Sequence, residues 1–179
     1  MLHVWGWGVI ARVVLQWQHG SVPGTDTTDH IKRVVTLLDI SEATRTPLAI
    51  ILLDDEKAFG RVAWHFLWAT MASIRIGPGF IRAVQSFYQS PTAKLNIMGL
   101  DSGVISTEHG TRQGCSSSPL LFAIYIEPYN HRLLGNANIL PVPAELFKIK
   151  LLAYADDVAI ITTAPASALQ AVVGEAIDF

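Results

Sequence analysis

The segment Ile149-Lys-Leu-Leu-Ala-Tyr-Ala-Asp-Asp-Val-Ala-Ile-Ile-Thr162 has the most informative pattern in the sequence. Its two apolar runs flank Ala155-Asp156-Asp157 and predict two buried strands joined by a tight hairpin. An Asp-Asp pair in a hairpin turn is most often a solvated turn, and in isolation that is the favoured interpretation. The alternative is that a divalent cation compensates these carboxylates, which are costly beside apolar strands.

A second acidic cluster lies upstream, where the apolar run Leu48–Leu53 ends at Asp54-Asp55. An unbroken apolar run of this length predicts a buried strand. One interpretation of the two aspartates is that they cap the helix predicted to follow. Another is that they bind metal. Mg²⁺ prefers carboxylate oxygens together with substrate phosphates, so one Asp from this strand and two from the hairpin would suffice to hold two ions.

The rest of the chain mixes helices with antiparallel hairpins. Asp26 or Thr27 would cap a helix through Ile40, because apolar residues recur there at helical spacing. Pro119 suits the first turn of a helix that follows the polar loop Gly110–Ser118. Further elements are predicted as follows: helices over 9–17, 62–76, 80–88 and 166–179, and a hairpin formed by 94–98 and 104–107. This mixture predicts an α+β fold and not repeated βαβ units.

Composition indicates one ordered globular domain. The chain has 179 residues, of which 50% are hydrophobic and 16% are charged. Its single cysteine, Cys115, excludes an internal disulfide and fits a reducing compartment. The apolar segment Met1–Trp17 is interrupted by polar residues and is predicted to be a buried helix, not a membrane anchor. The net charge is −2, and the 13 Lys and Arg residues form no basic stripe that would grip a phosphate backbone.

Other chemistries lack their sequence signatures. The six histidines are scattered singly, without the spacing of a zinc site. The sequence contains no phosphate-binding P-loop, and Cys115 lies in no protease signature. The two acidic clusters therefore remain the strongest candidates for chemistry.

Three segments, taken in order, resemble the palm motifs of reverse transcriptases of the non-LTR retrotransposon (LINE-type) family. They are Leu52-Leu-Asp-Asp-Glu-Lys-Ala-Phe59, Gly110-Thr-Arg-Gln-Gly-Cys-Ser-Ser-Ser-Pro-Leu-Leu-Phe122 and Tyr154-Ala-Asp-Asp157. Each motif alone is short, but three in the order and spacing of the family are specific. The similarity runs from about Gln18 to the end of the chain. It implies a polymerase palm, an antiparallel sheet backed by helices, with a partial fingers subdomain and no thumb.

The resemblance also implies a division of the chain and a reaction. Residues 1–46 would be partial fingers, 47–76 palm, 77–109 a fingers/palm helix and hairpin, and 110–179 palm. The implied reaction is RNA-directed DNA synthesis, in which a primer 3′-hydroxyl attacks the α-phosphate of a deoxynucleotide with two metal ions. The implied partners are an RNA template, a DNA primer and deoxynucleoside triphosphates, with no membrane, and an endonuclease outside this chain. The implied location is intracellular, in the nucleus or cytoplasm.

Individual roles follow from the same resemblance. The catalytic and metal-binding residues would be Asp54, Asp156 and Asp157, with Mg²⁺ as cofactor and Mn²⁺ as a substitute. Phe59 stands where the family keeps an aromatic steric gate that excludes a ribose 2′-hydroxyl. Gln113 and Gly114 would line the nucleotide pocket, where glycine permits close backbone approach. The residues expected beside the triphosphate are Asp55 and Glu56, and those beside template and primer are Arg112, Ser118, Pro119 and Tyr154.

Three of the positions that depart from the family pattern bear on activity. Gly60 replaces the usual Asp, Asp55 replaces an aromatic or apolar residue, and Thr25 replaces the Arg of a finger motif. These changes favour an alternative, a catalytically inactive palm that is at most a weak metal, nucleotide or RNA binder. The retained Asp54, Asp156 and Asp157 oppose it. Another template-directed polymerase is a third alternative, which the Gly-Thr-Arg-Gln-Gly loop disfavours.

Overall fold

The computed structural model describes residues 17–20, 26–112, 114–142, 149–177 and 179. The helix predicted over 9–17 lies outside these ranges except for Trp17, which is in a turn. Thr25, which stands where the family has an Arg, also lies outside them. Gln113, expected in the nucleotide pocket, also lies outside the described residues.

Within these ranges the chain has helices on either side of short antiparallel sheets. The helices are α1 (Thr27–Thr44), α2 (Trp64–Ser73), α3 (Pro78–Ser86), α4 (Ser118–Gly135) and α5 (Pro165–Ile177). The strands are β1 (Ala49–Leu53), β2 (Thr92–Ala93), β3 (Asn96–Ile97), β4 (Leu100–Asp101), β5 (Ile105–Ser106), β6 (Leu151–Tyr154) and β7 (Asp157–Thr162). The α+β prediction is confirmed. None of the helices in the described ranges is both long and apolar enough to cross a membrane.

Helix α1 begins where its sequence predicts. Asp26 is the N-cap residue, and its carboxylate accepts a hydrogen bond from the Thr28 backbone N–H at 3.0 Å. This bond satisfies one of the donors that the first helical turn leaves unpaired. Arg45 ends the helix in the left-handed conformation, with φ 52°. The structure therefore selects Asp26, not Thr27, as the cap.

The central sheet has the strand order β1-β7-β6 and is antiparallel throughout. Leu53 of β1 lies opposite Val158, and Tyr154 of β6 lies opposite Asp157. Ala155 and Asp156 alone connect β6 to β7, so the tight hairpin predicted from the sequence is present. This order brings the end of β1 and the tip of the hairpin to the same edge of the sheet.

Apolar side chains cover both faces of this sheet. One face packs against α2, α4 and α5 in a core that contains Leu67, Phe122 and Ile160. The opposite face packs against α1 through a smaller cluster that includes Leu37 and Leu152. Each fully buried side chain of this kind contributes about 1.5–3 kcal/mol to folding, so the two clusters hold the sheet edge in place.

The segment 92–106 differs from its prediction. A single hairpin was expected between 94–98 and 104–107, whereas the structure has two short ladders, β2 with β5 and β3 with β4. Met98 and Gly99 have φ values of 52° and 85°, the combination that a type I′ two-residue turn requires. This turn pairs Ile97 with Leu100 in an inner ladder, and Ala93 pairs with Ile105 in a separate outer ladder.

Candidate active site

The acidic residues meet at one edge of the central sheet. Asp54 directly follows β1, Asp156 lies in the hairpin turn and Asp157 begins β7. Because Leu53 lies opposite Val158, the same register continued by one residue sets Asp54 opposite Asp157. Two clusters that are far apart in the sequence are therefore neighbours in the fold.

The pKa of the Asp55 carboxyl responds to the negative charges of the neighbouring aspartates. Burial raises the pKa of its carboxyl, the nearby Arg61 guanidinium acts to lower it, and the charges of Asp156 and Asp54 raise it. The net shift of the pKa is upward. These carboxyl groups therefore lie within electrostatic reach of one another, and a cation would relieve their repulsion.

The side chains of Asp54 and Asp55 do not cap a helix. A short 3-10 helix, Ala58–Gly60, begins after Lys57, which has φ 59° and makes no side-chain capping bond. Asp55 takes part in this turn through its backbone carbonyl, which accepts a hydrogen bond from the Ala58 N–H at 3.2 Å. Both carboxylates stay exposed at the strand end. The capping interpretation is therefore wrong, and the side chains remain available for a ligand.

The chemistry of these donors fits a hard divalent cation. Mg²⁺ is usually bound by one or two carboxylates and completes its octahedral shell with water and substrate phosphates. Across the described ranges, no three Asp, Glu, His or Cys side chains form a group that could hold a metal ion. Exposed aspartates can still act as ligands of a cation that shares its coordination with water and substrate phosphates.

A cavity of about 630 Å³ opens beside Asp54 and Asp157. Tyr154 of the hairpin and His30 of α1 form other parts of its wall. Leu52 also lines it and is 79% exposed, which is unusual for a leucine in the strand of a central sheet. Cavities of this size accept small molecules, so the acidic edge has room for a ligand.

His30 faces this cavity mainly as the neutral imidazole. Burial lowers its pKa to about 4, and the neighbouring His19 and Arg33 act in the same direction. Its ring stacks on the ring of His19, with centroids 4.1 Å apart. Protonation of His30 would therefore place a charge inside a stacked, partly buried pair of rings.

We expect the free energy of unfolding to fall as the pH drops from about 6.5 to about 4, with His30 as a main cause. The unfolded chain protonates His30 near pH 6.5, whereas the folded chain does so only near pH 4. Because His30 is partly exposed, solvent screening limits the loss to about 1–2 kcal/mol. Urea unfolding across this pH range should show a shallower decline in His30→Phe. The exposed His65→Phe variant is the control, and equal slopes in all three proteins would contradict the prediction.

Phe59 is held half-buried on the segment that follows Asp54. Its ring stacks on that of Phe122, with centroids 4.6 Å apart and 24° between the planes. Its backbone carbonyl accepts hydrogen bonds from the Thr111 N–H at 2.7 Å and from the Thr111 hydroxyl at 3.3 Å. Contacts from both the core and the loop at 110–117 therefore restrict where this ring can lie.

The start of the 110–117 loop is bound to the same segment. The Gly110 N–H donates to the Val62 carbonyl at 2.8 Å, and Trp64 Nε1 donates to the Gly110 carbonyl at 2.8 Å. Val62 was predicted to lie in α2 but precedes it, because this residue pairs with the loop. The first two motifs of the sequence are thus joined by hydrogen bonds.

Two glycines at this junction should respond in opposite ways to alanine. Gly110 has φ 90°, and a Cβ there would lie 2.8 Å from the Gly60 carbonyl oxygen. We expect Gly110→Ala to destabilise the chain by about 2–3 kcal/mol. At Gly60 the nearest atom to an added Cβ is 3.9 Å away, so Gly60→Ala should be neutral or stabilising by up to about 1 kcal/mol. Thermal unfolding of the two variants compares them directly, and equal midpoints would contradict this account.

The far end of the loop folds back on itself. The Ser118 hydroxyl donates to the Arg112 carbonyl at 2.6 Å, and Pro119 occupies the first turn of α4. Gly114 has φ 78°, a left-handed conformation that glycine adopts without strain. The residues expected near template and primer therefore share this loop and helix start, except Tyr154, which lies at the hairpin.

A second cavity, of about 280 Å³, lies between α3 and this loop and was not anticipated from the sequence. Its walls include the rings of Phe80 and Tyr88, together with Arg112 and Cys115. Hydrogen bonds from Ser117 lower the pKa of the Cys115 thiol. Because aromatic and aliphatic side chains line this cavity, one side of the 110–117 loop faces an apolar surface.

Gln18 is a further residue at the hairpin that sequence analysis did not select. Its buried side chain hydrogen-bonds to the backbone N–H and carbonyl of Ala155. A single glutamine next to an apolar segment carries no chemical signature, so the sequence offered no signal for it.

Comparisons with known proteins identify the family and the fold of the chain. Residues 9–178 match the family described as reverse transcriptase (RNA-dependent DNA polymerase). The transposon TX1 uncharacterized 149 kDa protein of Xenopus laevis is 31% identical over 153 residues, which are 86% of this chain and 12% of that protein. The structure of apo telomerase from Candida tropicalis, truncated from the C-terminal domain, superposes with a TM-score of 0.65 and 17% identity, over 97% of this chain and 35% of that chain.

These matches differ in what they show. At 17% identity the telomerase structure shows the fold alone, an antiparallel sheet backed by helices. The family match spans almost the whole chain, and the transposon protein is consistent with a non-LTR retrotransposon type. The chain therefore belongs to the reverse transcriptase (RNA-dependent DNA polymerase) family.

Proposed function

We propose that this chain is the catalytic core of an RNA-directed DNA polymerase that adds deoxynucleotides to a primer 3′-hydroxyl by a two-metal mechanism. The observation that carries the proposal is the register of the central sheet, which sets Asp54 beside the hairpin of Asp156 and Asp157. Carboxylates from two adjacent strands suit two ions about 3.5–4 Å apart, a spacing that serves both the attacking and the leaving oxygen.

In this proposal Asp54 and Asp156 would hold the ions, and Asp157 would add a third carboxylate. The ions, when bound, would supply activation of the 3′-hydroxyl and neutralisation of the phosphate charge. The chain itself contributes positioning, because the β1–β7–β6 sheet fixes the carboxylates relative to one another before substrate arrives. The exposure of Asp54 and Asp157 leaves room for substrate oxygens among the ligands.

The nucleotide would lie between the segment after Asp54 and the 110–117 loop. Phe59 would contact its sugar, which the stacking on Phe122 supports because a restrained ring is a better steric barrier. The backbone of Asp55 and Glu56 would lie beside the triphosphate. The remaining contacts would come from Gln113 and Gly114 to the nucleotide, and from Arg112, Ser118, Pro119 and Tyr154 to template and primer.

RNA-templated primer extension tests this proposal. The folded chain, an RNA template, a DNA primer, deoxynucleotides and Mg²⁺ should together give extended primer. Extension should stop when EDTA is added or when the primer ends in a dideoxynucleotide, because the reaction needs both the cation and the 3′-hydroxyl. If folded protein gives no extension with Mg²⁺ or Mn²⁺, the alternative of a palm that only binds its ligands is favoured.

Replacement of Phe59 by alanine should relax selection against ribonucleotides. Loss of the ring opens space for a 2′-hydroxyl, so the ratio of kcat/KM for deoxynucleotide over ribonucleotide should fall by roughly tenfold or more. Phe59→Tyr keeps the ring and is the matched control. An unchanged ratio in Phe59→Ala would remove the steric-gate assignment.

The wider setting follows from the same reaction. From the family to which the chain belongs, we propose that the activity is located in the nucleus or cytoplasm. An endonuclease, fused or associated, would supply the nicked DNA end that serves as primer. The chain spans only 12% of its transposon relative.

A further inference from the structure

The hairpin that carries the aspartates is bordered by a segment from the start of the chain. Residues 17–20 lie along β6, with a parallel bridge between Gln18 and Ala153. The Ala153 N–H donates to the Trp17 carbonyl at 2.9 Å, and the His19 N–H donates to the Ala153 carbonyl at 2.8 Å. These backbone bonds bring Gln18 alongside the hairpin turn.

The side chain of Gln18 binds the turn at two points. Its Oε1 accepts a hydrogen bond from the Ala155 N–H at 2.9 Å, and its Nε2 donates to the Ala155 carbonyl at 3.2 Å. The same Oε1 accepts from the Gly20 N–H at 2.9 Å, which fixes the amide in its own segment. Gln18 is only 1% exposed and Ala155 is half-buried, so loss of the Gln18 amide would leave partly buried backbone groups without this partner, which is costly.

The hydrogen bonds from Gln18 support a strained turn at Ala155 and Asp156. Ala155 has φ 55°, a conformation that costs a non-glycine residue roughly 1–2 kcal/mol. Both of its backbone polar groups are paired with one side chain that is 137 residues away in the sequence. Asp156 is the next residue, so the direction of its carboxylate depends on the conformation of Ala155.

Gly20 provides an independent sign of this close contact. A Cβ at Gly20 would lie 2.0 Å from the Ala155 nitrogen. An atom cannot be accommodated at that distance without movement of the turn or of the 17–20 segment. The absence of a side chain at Gly20 is therefore what allows the Gln18 amide to reach the hairpin.

We propose that Gln18 is a positioning residue that holds the Ala155–Asp156 turn in the conformation required for metal binding by the hairpin aspartates. This inference rests on the proposed function, because it concerns the carboxylates assigned there to the ions. Gln18 acts through the backbone of Ala155 and does not itself contact substrate.

The test compares Gln18→Met, Gln18→Glu and Gln170→Met with the wild-type chain. Methionine keeps the volume of glutamine and removes all three hydrogen bonds. Glutamate keeps the acceptor for the Ala155 N–H and removes the donor. Gln170 is exposed on α5, so Gln170→Met controls for the substitution itself. Two quantities are measured on the full chain: hydrogen exchange of the Ala155 amide, and the Kd for Mn²⁺ from its electron paramagnetic resonance signal.

In Gln18→Met we expect exchange of the Ala155 amide to rise by about tenfold and Mn²⁺ binding to weaken by about five- to tenfold. In Gln18→Glu the amide should stay protected. In addition to these two quantities, the thermal midpoint of each variant is measured. Increased exchange in α4 as well as at Ala155 would indicate a general loss of folding instead of a local change at the turn. If Gln18 served only in packing, Gln18→Met would lower the thermal midpoint without changing the Mn²⁺ affinity of the folded protein.

An Asp156→Asn variant tests the metal assignment separately from the positioning role of Gln18. If Asp156→Asn abolishes Mn²⁺ binding while folded Gln18→Met binds as wild type, the role of Gln18 is overturned and the proposed function stands. If Asp156→Asn leaves Mn²⁺ binding unchanged, the metal assignment fails and the inference fails with it. Weakened binding in both variants, with increased exchange at Ala155 in Gln18→Met, supports both.

Discussion

Replacing Asp156 with alanine is expected to lower RNA-templated nucleotide incorporation by at least about 10³-fold, because it removes one of the carboxylates assigned to the two ions. The fold should be preserved, since Asp156 lies in a partly exposed turn and not in the core. Its charge also raises the pKa of Asp55, so its removal relieves repulsion at the sheet edge. Rates from single-turnover incorporation, with thermal unfolding as a check on folding, measure both effects.

A carboxylate elsewhere on the chain controls for this change. Asp39 is exposed on α1, so Asp39→Ala removes one negative charge without altering the sheet edge. Its incorporation rate should stay near that of the wild type. Equal rates in Asp156→Ala and Asp39→Ala would contradict the assignment of Asp156 to the metal site.

Replacing Phe122 with alanine is expected to lower the free energy of unfolding by about 3–5 kcal/mol, the largest stability effect foreseen. Phe122 is fully buried on α4 within the core beneath the central sheet. Its ring also stacks on Phe59, so the deletion leaves a cavity and removes the support of the predicted steric gate. Urea unfolding of the wild type and the variant gives the difference.

Phe87 offers a matched comparison for this deletion. Its side chain is 54% exposed, so Phe87→Ala should cost less than about 1 kcal/mol. A cost for Phe122→Ala no larger than that for Phe87→Ala would contradict the position of Phe122 in the core.

Features that depend on local pattern could be predicted from the sequence. The apolar runs around Ala155-Asp156-Asp157 indicated the hairpin, and the run ending at Leu53 indicated its partner strand. The Asp26 cap was among the two residues named for the start of α1. In each case the information lies within a few residues, because strand formation, turn length and helix capping depend on near neighbours in the chain. The burial expected for β1 was wrong, because burial depends on packing: its residues are half-buried or exposed, and Leu52 is 79% exposed.

Features that depend on distant contacts could not be predicted in this way. The inner ladder at 96–101 arises because Met98 adopts positive φ, which its residue type does not favour. The pairing of Gln18 with Ala155 joins opposite ends of the sequence, and neither residue has a chemical signature. The capping interpretation of Asp54 and Asp55 was wrong because the helix after β1 starts beyond both residues, at Ala58.

Whether the chain is an RNA-templated polymerase can be decided by asking whether the template base selects the nucleotide that is added. Four RNA templates that differ only at the templating base are each supplied with the folded chain, a DNA primer, Mg²⁺ and one deoxynucleotide at a time. The account predicts that each template directs incorporation of its complementary deoxynucleotide, and that Asp156→Ala abolishes all of it. Incorporation that ignores the template base or persists in Asp156→Ala would contradict the account, as would no incorporation by folded wild-type protein.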